Sequence, residues 1–445
     1  MNSSLSGVPR AHVLPLAVCL ALGLQTSAIA QRDDAVHVHP SAVAPSLTTG
    51  TVRVVKNCND SGPDSLRALL QQAQNTDTID LSQLACSQIS LSTGAIFTSL
   101  ADNLTLLGPG SHPFVIDAGS IDRAIVHNGF GRMTIQDLTI KNGLLTTSAK
   151  GGGCIYGFGS ISLVRSALTS CRTNTTGATV AIGGAIRAAG DVTLVSSSVT
   201  NSNVNAANSH SAGAGIFAST VNLTKSVVSG NRATSNTSYS VGGGIYATSK
   251  VTAHDSTVSG NNAGEGGGVF SKGGAILFNS TVSGNYAVAS AGIEALAEAR
   301  IYNSTIARNI GYDDNFAAGL TVGSSVLTLQ SSIIANNVIG TVEFDLASAV
   351  AATADGNNNL VMTHADQTVV PIDTISGDPK LGPLQNNGGP TATHALAPSS
   401  PAVDKGNNLQ ALDFDQRGAP RLQGRQTDIG AFELSDVIFS NKFEP

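Results

Sequence analysis

The chain has 445 residues, no Trp, 4% aromatic and 12% charged residues, and 48 glycines, a composition unable to fill one large globular core but able to fill a narrow apolar tube. Its formal net charge of −6 argues against binding nucleic acid or an acidic membrane surface, since either needs a basic patch. The length would allow two or three ordinary domains, but a repeat protein grows by adding units and escapes that count.

Residues 1–30 read as a secretory signal: Arg10, an apolar run from Val13 to Leu24, and a small-x-small cleavage site at Ala28-Ile29-Ala30. The run is too short to span a bilayer comfortably, so no transmembrane segment is expected in the mature chain. Val18 precedes Cys19 where a lipoprotein signal takes a small residue, which argues against lipidation. Residues 31–50, with His37 and His39, read as a flexible Ala/Pro/Ser-rich linker. Cleavage after Ala30 leaves Cys58, Cys86, Cys154 and Cys171, and an even number in an exported chain favours disulfides over metal. The expected pairs are Cys58–Cys86 and Cys154–Cys171, each local and within about one repeat. Residues 51–125 are assigned to an N-terminal cap and first coils, with a helix after Ser65 running to Ala73.

Residues 126–345 carry seven copies of one pattern, a Gly-rich step into an apolar residue followed by a Ser-centred segment. The steps end at Ile155, Ile186, Ile216, Ile245, Val269, Ile293 and Leu320. The anchor serines are Ser166, Ser197, Ser226, Ser256, Ser280, Ser304 and Ser332, spaced by 31, 29, 30, 24, 24 and 28 residues. A unit of that size means a solenoid, and short alternating segments mean β-strands rather than helices. The fold class is therefore all-β, a right-handed parallel β-helix, with like segments stacked roughly 4.8 Å apart and the seven apolar residues forming an interior ladder. One coil buries too little to hold its own backbone, so the stack must be stabilised by its neighbours. Asn231, Asn261, Asn285, Asn309 and Asn337 each follow an anchor serine by five residues. At one angular position their amides should hydrogen-bond along the stack, and they also tolerate the left-handed backbone of a tight turn.

The pairing of Gly-Gly-Ala-Ile (Gly183–Ile186, Gly273–Ile276) with Val-x-x-Asn (Val228–Asn231, Val258–Asn261, Val282–Asn285) resembles the repeats of polymorphic outer-membrane proteins and other β-helix surface proteins. Asn59 to Arg67 and Asp80 to Cys86 resemble the N-terminal cap found ahead of such helices. Gln385 to Pro390, His394, Ser400 to Asp404, Asp415 to Gly418 and Asp428 to Glu433 resemble the choice-of-anchor Q domain, which implies an exported bacterial surface protein without implying a reaction. Residues 346–433 are accordingly expected to hold the last coils and a C-terminal cap. The tail, 434–445, resembles a short C-terminal sorting tag and is too short and polar to anchor in a membrane.

One residue past the interior ladder stand Tyr156, Arg187, Phe217, Tyr246 and Phe270, then Glu294 and Thr321. Strand alternation sends them to the outer face, where the aromatics either form a glycan-binding stripe or pack under polar loops. Those loops are the insertions Thr173–Ile182, Asn203–Ala212 and Arg232–Val241, expected to wall the stripe. Glu265, Glu294, Asp313 and Asp314 fall near the same Gly-rich step, with carboxylates expected about 5 Å apart per coil, a spacing compatible with glycoside hydrolysis or a Ca²⁺ site. No other metal or cofactor is expected, and no lyase motif accompanies the acids. His254-Asp255, His394 and Asp404 read as structural. The resulting expectation is a secreted or cell-surface monomer, non-catalytic, displaying a long face to a polysaccharide or cell-surface ligand; the alternative is a polysaccharide-degrading enzyme acting through the acids.

Overall fold

The computed structural model describes residues 50–146, 151–176 and 178–435, which belong to one compact unit starting at Gly50. The expected signal peptide, all but the last residue of the expected linker, and the tail from residue 436 lie outside them. Each coil crosses three parallel sheets, here called I, II and III, of ten, eleven and eleven strands. In one coil these are Ile155–Gly157, Ser160–Val164 and Ala167–Thr169; in the next, Ile186–Ala188, Val192–Val195 and Ser198–Thr200. The result is a parallel β-solenoid.

The interior ladder forms in the expected register. Ile155 pairs with Ile186, and the column continues through Ile216, Ile245, Val269, Ile293 and Leu320, all essentially inaccessible. Alternation does the sorting: in Val192–Val195, Val192 and Leu194 point in while Thr193 and Val195 face out. The three inner faces merge into one apolar core running from Val55 to Val361.

Both polar columns sit at corners and share a construction. Between sheets II and III, a left-handed residue turns the chain at Arg165, Ser196, Lys225, Asp255, Asn279, Asn303 and Ser331, with φ between 45° and 51°. The next residue is the anchor serine, whose hydroxyl stitches coils together. Ser197 Oγ accepts from Ser166 N at 3.0 Å and donates to Val195 O at 2.8 Å. After sheet III the left-handed residue is Gly230, Gly260, Gly284, Arg308 or Asn336, one place before each ladder asparagine. The asparagines themselves therefore do not carry the left-handed conformation expected of them. Their function is hydrogen bonding. Asn261 Oδ1 accepts from both N and Nδ2 of Asn231 (3.0 and 2.9 Å), while Asn261 Nδ2 donates to Val228 O and Asn285 Oδ1 (both 3.0 Å). The column begins with Cys171 and Ser202 and ends on Asp345, which accepts from N and Nδ2 of Asn337. Burial raises the Asp345 pKa to about 6, against the pull of its hydrogen bonds from Asn337 and Thr363.

At the start, the helix Leu66–Gln72 is N-capped by Ser65, whose hydroxyl accepts from Ala68 N, and it buries Leu66 and Leu70 in the core. Cys58–Cys86 and Cys154–Cys171 are disulfide-bonded, the pairs that locality predicts.

The C-terminal segment behaves differently from a terminal plug. From about residue 380 it runs back along the outer face of sheet III. His394 bonds Ser283, Gln416 bonds Thr257 and Thr281, Asn279 bonds Phe414 O, and Ala431 N donates to Thr305. It thereby covers Thr257, Thr281, Thr305, Ala307 and Ala335, outward positions that would otherwise face water. Arg421, almost wholly buried, forms an ion pair with Glu433 at 2.9 Å inside this arm. His394 and Asp404, read as structural, are hydrogen-bonded to Gly382 O and Ser283, and to the Arg425 and Gln426 amides.

Candidate functional site

The expected stripe is in register but divides into two parts. Tyr156 pairs with Arg187, then Phe217, Tyr246, Phe270 and Glu294 follow, one per coil. Phe217, Tyr246 and Phe270 stack with ring centroids 4.9 and 5.2 Å apart and planes within 5°. Yet Tyr246 is 0% exposed, and Phe217 and Phe270 are buried with it. An open groove over these three rings is therefore excluded: Phe217 and Tyr246 pack under the insertions, and Phe270 under Gly266, where a Cβ would stand 2.8 Å from the Phe270 Cβ. The reason is that each insertion forms two short strands rather than a wall. Arg232–Ser235 leads out and Ser240–Val241 returns across the outer face of sheet I. Gly242 then follows at φ 63°, so close above the stripe that a Cβ there would stand 3.0 Å from the Tyr246 Cβ.

The four acids also divide. Glu294 is 3% exposed and its Oε2 has no hydrogen-bond partner. Burial first, and then the nearby Glu265 charge, push the Glu294 pKa to about 8, partly offset by the Ser290 hydroxyl. Glu265 is half-buried, and burial raises its pKa too. Asp313 instead caps its own loop by accepting from Asn315 N and Nδ2, and Asp314 is exposed to solvent. The four-carboxylate cluster thus reduces to a buried Glu294 beside a half-buried Glu265, and among the described residues no three His, Cys, Asp or Glu side chains converge on a metal-sized site.

The open part of the stripe lies at its beginning. Tyr156 and Arg187 are half-buried, and beside them stand two side chains that the stripe pattern does not include, Phe130 at 79% and Phe158 at 42% exposure. Phe158 packs edge-on to Tyr156 at 4.9 Å and to Phe130 at 6.2 Å. Phe97 and Leu100, also exposed, occupy the preceding coil, Phe97 in the row of Val126 and Tyr156. The local signal is present in the sequence as Gly-Phe-Gly twice, at Phe130 and Phe158, 28 residues apart. The glycines let consecutive coils touch: a Cβ on Gly159 would lie 1.9 Å from Gly131 O. The intervening Phe has no room inside and projects into water.

Two guanidiniums border this platform. Arg187 lies 4.8 Å and Arg123 5.4 Å from the Tyr156 centroid. A separate open cleft of about 520 Å³ lies at the corner of sheets II and III, lined by Ser166, Ser197, Arg165, Lys225 and Pro390. Its Arg165 is already clamped by Asp137 at 2.7 and 2.8 Å, and its Phe114 is buried. His254, exposed, heads another stack with Phe278 and Tyr302 on sheet II, whose rings cover one another and leave mainly edges to solvent.

No protein-family model matches the chain, and no curated protein matches it. Among solved structures, it is similar to that of pectate lyase Pel9A at 11% identity and a TM-score of 0.39, a match covering 86% of this chain and 97% of that one.

Proposed function

We propose that this chain is an exported, non-catalytic β-solenoid that binds a polysaccharide through the platform of Phe130, Phe158 and Tyr156. The observation that carries the reading is the exposure of two phenylalanines in successive coils of a chain with so few aromatics. A solvated Phe is tolerated singly, but adjacent rings with a half-buried Tyr make an apolar ledge suited to the C–H faces of sugars. Coils repeat about every 4.8 Å, so Phe130 and Phe158 offer contacts about one coil apart along the axis, suited to a short stretch of an extended polymer. The two disulfides fit an oxidising, extracellular setting, and no described helix is long and apolar enough to cross a membrane. The resemblances to choice-of-anchor Q and to polymorphic outer-membrane repeats belong to the same proposal, a surface or secreted adhesion module. The hydrolase or lyase alternative is weaker because Glu294 is covered and therefore cannot contact a polymer.

The test is retention on a panel of immobilised neutral and acidic polysaccharides. Phe130→Ala/Phe158→Ala should lose retention at least tenfold while keeping its circular dichroism, and no reducing ends or unsaturated uronates should be released. Retention unchanged in the double variant would remove the platform, and release abolished by Glu294→Gln would reinstate the enzyme.

A further inference from the structure

The platform's charge goes further than its shape. Arg123 and Arg187 both lie within cation–π range of one ring, and among the described residues neither forms an ion pair with a carboxylate. Among the described residues, the Arg123 side chain makes one hydrogen bond, from Nε to Gly151 O at 3.2 Å. Arg187 is less satisfied still, since its Nε and Nη1 are buried with no acceptor. A buried guanidinium without an acceptor is costly, and a second one nearby adds repulsion. In agreement, the Arg123 pKa is lowered, by burial first and with a contribution from the Arg187 charge, while Asp122 and Tyr156 oppose. In a chain with net charge −6, such a pair is a local excess of positive charge beside a sugar-stacking ledge.

We infer that Arg123 and Arg187 receive the carboxylates of an acidic polysaccharide, a polyuronate whose ring faces rest on Phe130 and Phe158. Guanidinium suits this role: its planar fork matches a carboxylate in two parallel hydrogen bonds, and it can stay stacked on an aromatic ring while doing so. Because Nε and Nη1 of Arg187 are buried, they gain a carboxylate acceptor only as the half-buried side chain turns outward on binding. The inference rests on the glycan-binding reading above.

The two ideas separate in one experiment. Purified protein is run in affinity electrophoresis through alginate, carboxyl-reduced alginate with the same backbone, and dextran sulfate. Wild type should be retarded at least tenfold more strongly by alginate than by the reduced polymer, and the effect should weaken from 50 to 300 mM NaCl. Arg187→Gln should bring that preference below about twofold, and Arg123→Gln provides the same readout should Arg187→Gln fail to fold. Equal retardation by intact and reduced alginate, lost in Phe130→Ala/Phe158→Ala, would overturn the carboxylate assignment and leave glycan binding standing. Retardation by dextran sulfate equal to that by alginate would also overturn it. Retardation by neither alginate, with none on the wider panel, would overturn both readings.

Discussion

Replacing Glu294 by Gln should remove a pH dependence of stability that runs opposite to that of an ordinary paired carboxylate. The carboxyl is 3% exposed, and its pKa is raised from 4.5 to about 8, chiefly by burial. Because the folded value lies above the unfolded one, the native state holds a proton that the unfolded chain releases. The group's stabilisation is therefore fully present below pH 4.5 and is lost as pH rises towards 8. At about 1.4 kcal/mol per unit, the loss is about 3 kcal/mol by pH 7 and about 5 kcal/mol by pH 9. Gln is isosteric with the protonated acid and does not titrate. The variant should match wild type at pH 4.5 and exceed it by about 3 kcal/mol at pH 7, or roughly 4 °C in Tm for a rod of this size. Calorimetry of both proteins at pH 4.5, 7 and 9 provides the readout. A difference that stays constant across pH, or a variant less stable than wild type at pH 9, would refute the argument.

Three further outcomes follow from the packing. Asn285→Ala removes a side chain that accepts from N and Nδ2 of Asn261 and donates to Val258 O and Asn309, leaving several buried groups orphaned. It should cost about 3–5 kcal/mol in denaturant unfolding, with Asn285→Ser less damaging, since Ser202 occupies the same column and still accepts a bond. Arg421→Met should cost about 3–5 kcal/mol by stranding Glu433 and should expose the C-terminal arm to protease; adding Glu433→Gln should recover most of that loss. Cys154→Ala/Cys171→Ala opens a cross-link spanning 17 residues and should lower stability by about 3 kcal/mol, measured as the difference in urea midpoint multiplied by the slope.

Much of this molecule is written along the chain, because a solenoid converts sequence period directly into spatial neighbourhood. The Ile155-to-Leu320 column, the anchor serines and the five asparagines each occupy one angular position, so their spacing alone placed them on top of one another. The two disulfides followed from the same locality. The platform at Phe130 and Phe158 was also legible, as a Gly-Phe-Gly motif repeated one coil apart, but it lies outside the stripe pattern that drew attention to Tyr156.

What the sequence could not decide was which faces the tube leaves open. Periodicity sends Tyr246 and Phe217 outward from the core, and it is correct that they leave it. Only the fold shows that the returning strand Ser240–Val241 and its neighbours lie over them, and that Glu294 is buried while Asp314 stays exposed. Likewise, the run from Gln385 to Glu433 carries no mark of its docking site; its contacts with Thr257, Ser283 and Thr305 span more than a hundred residues. Burial of an outward side chain depends on contacts made by distant or inserted segments, and those are set by how coils and arm pack together, whereas the column inside each coil is set by hydrogen-bond register alone.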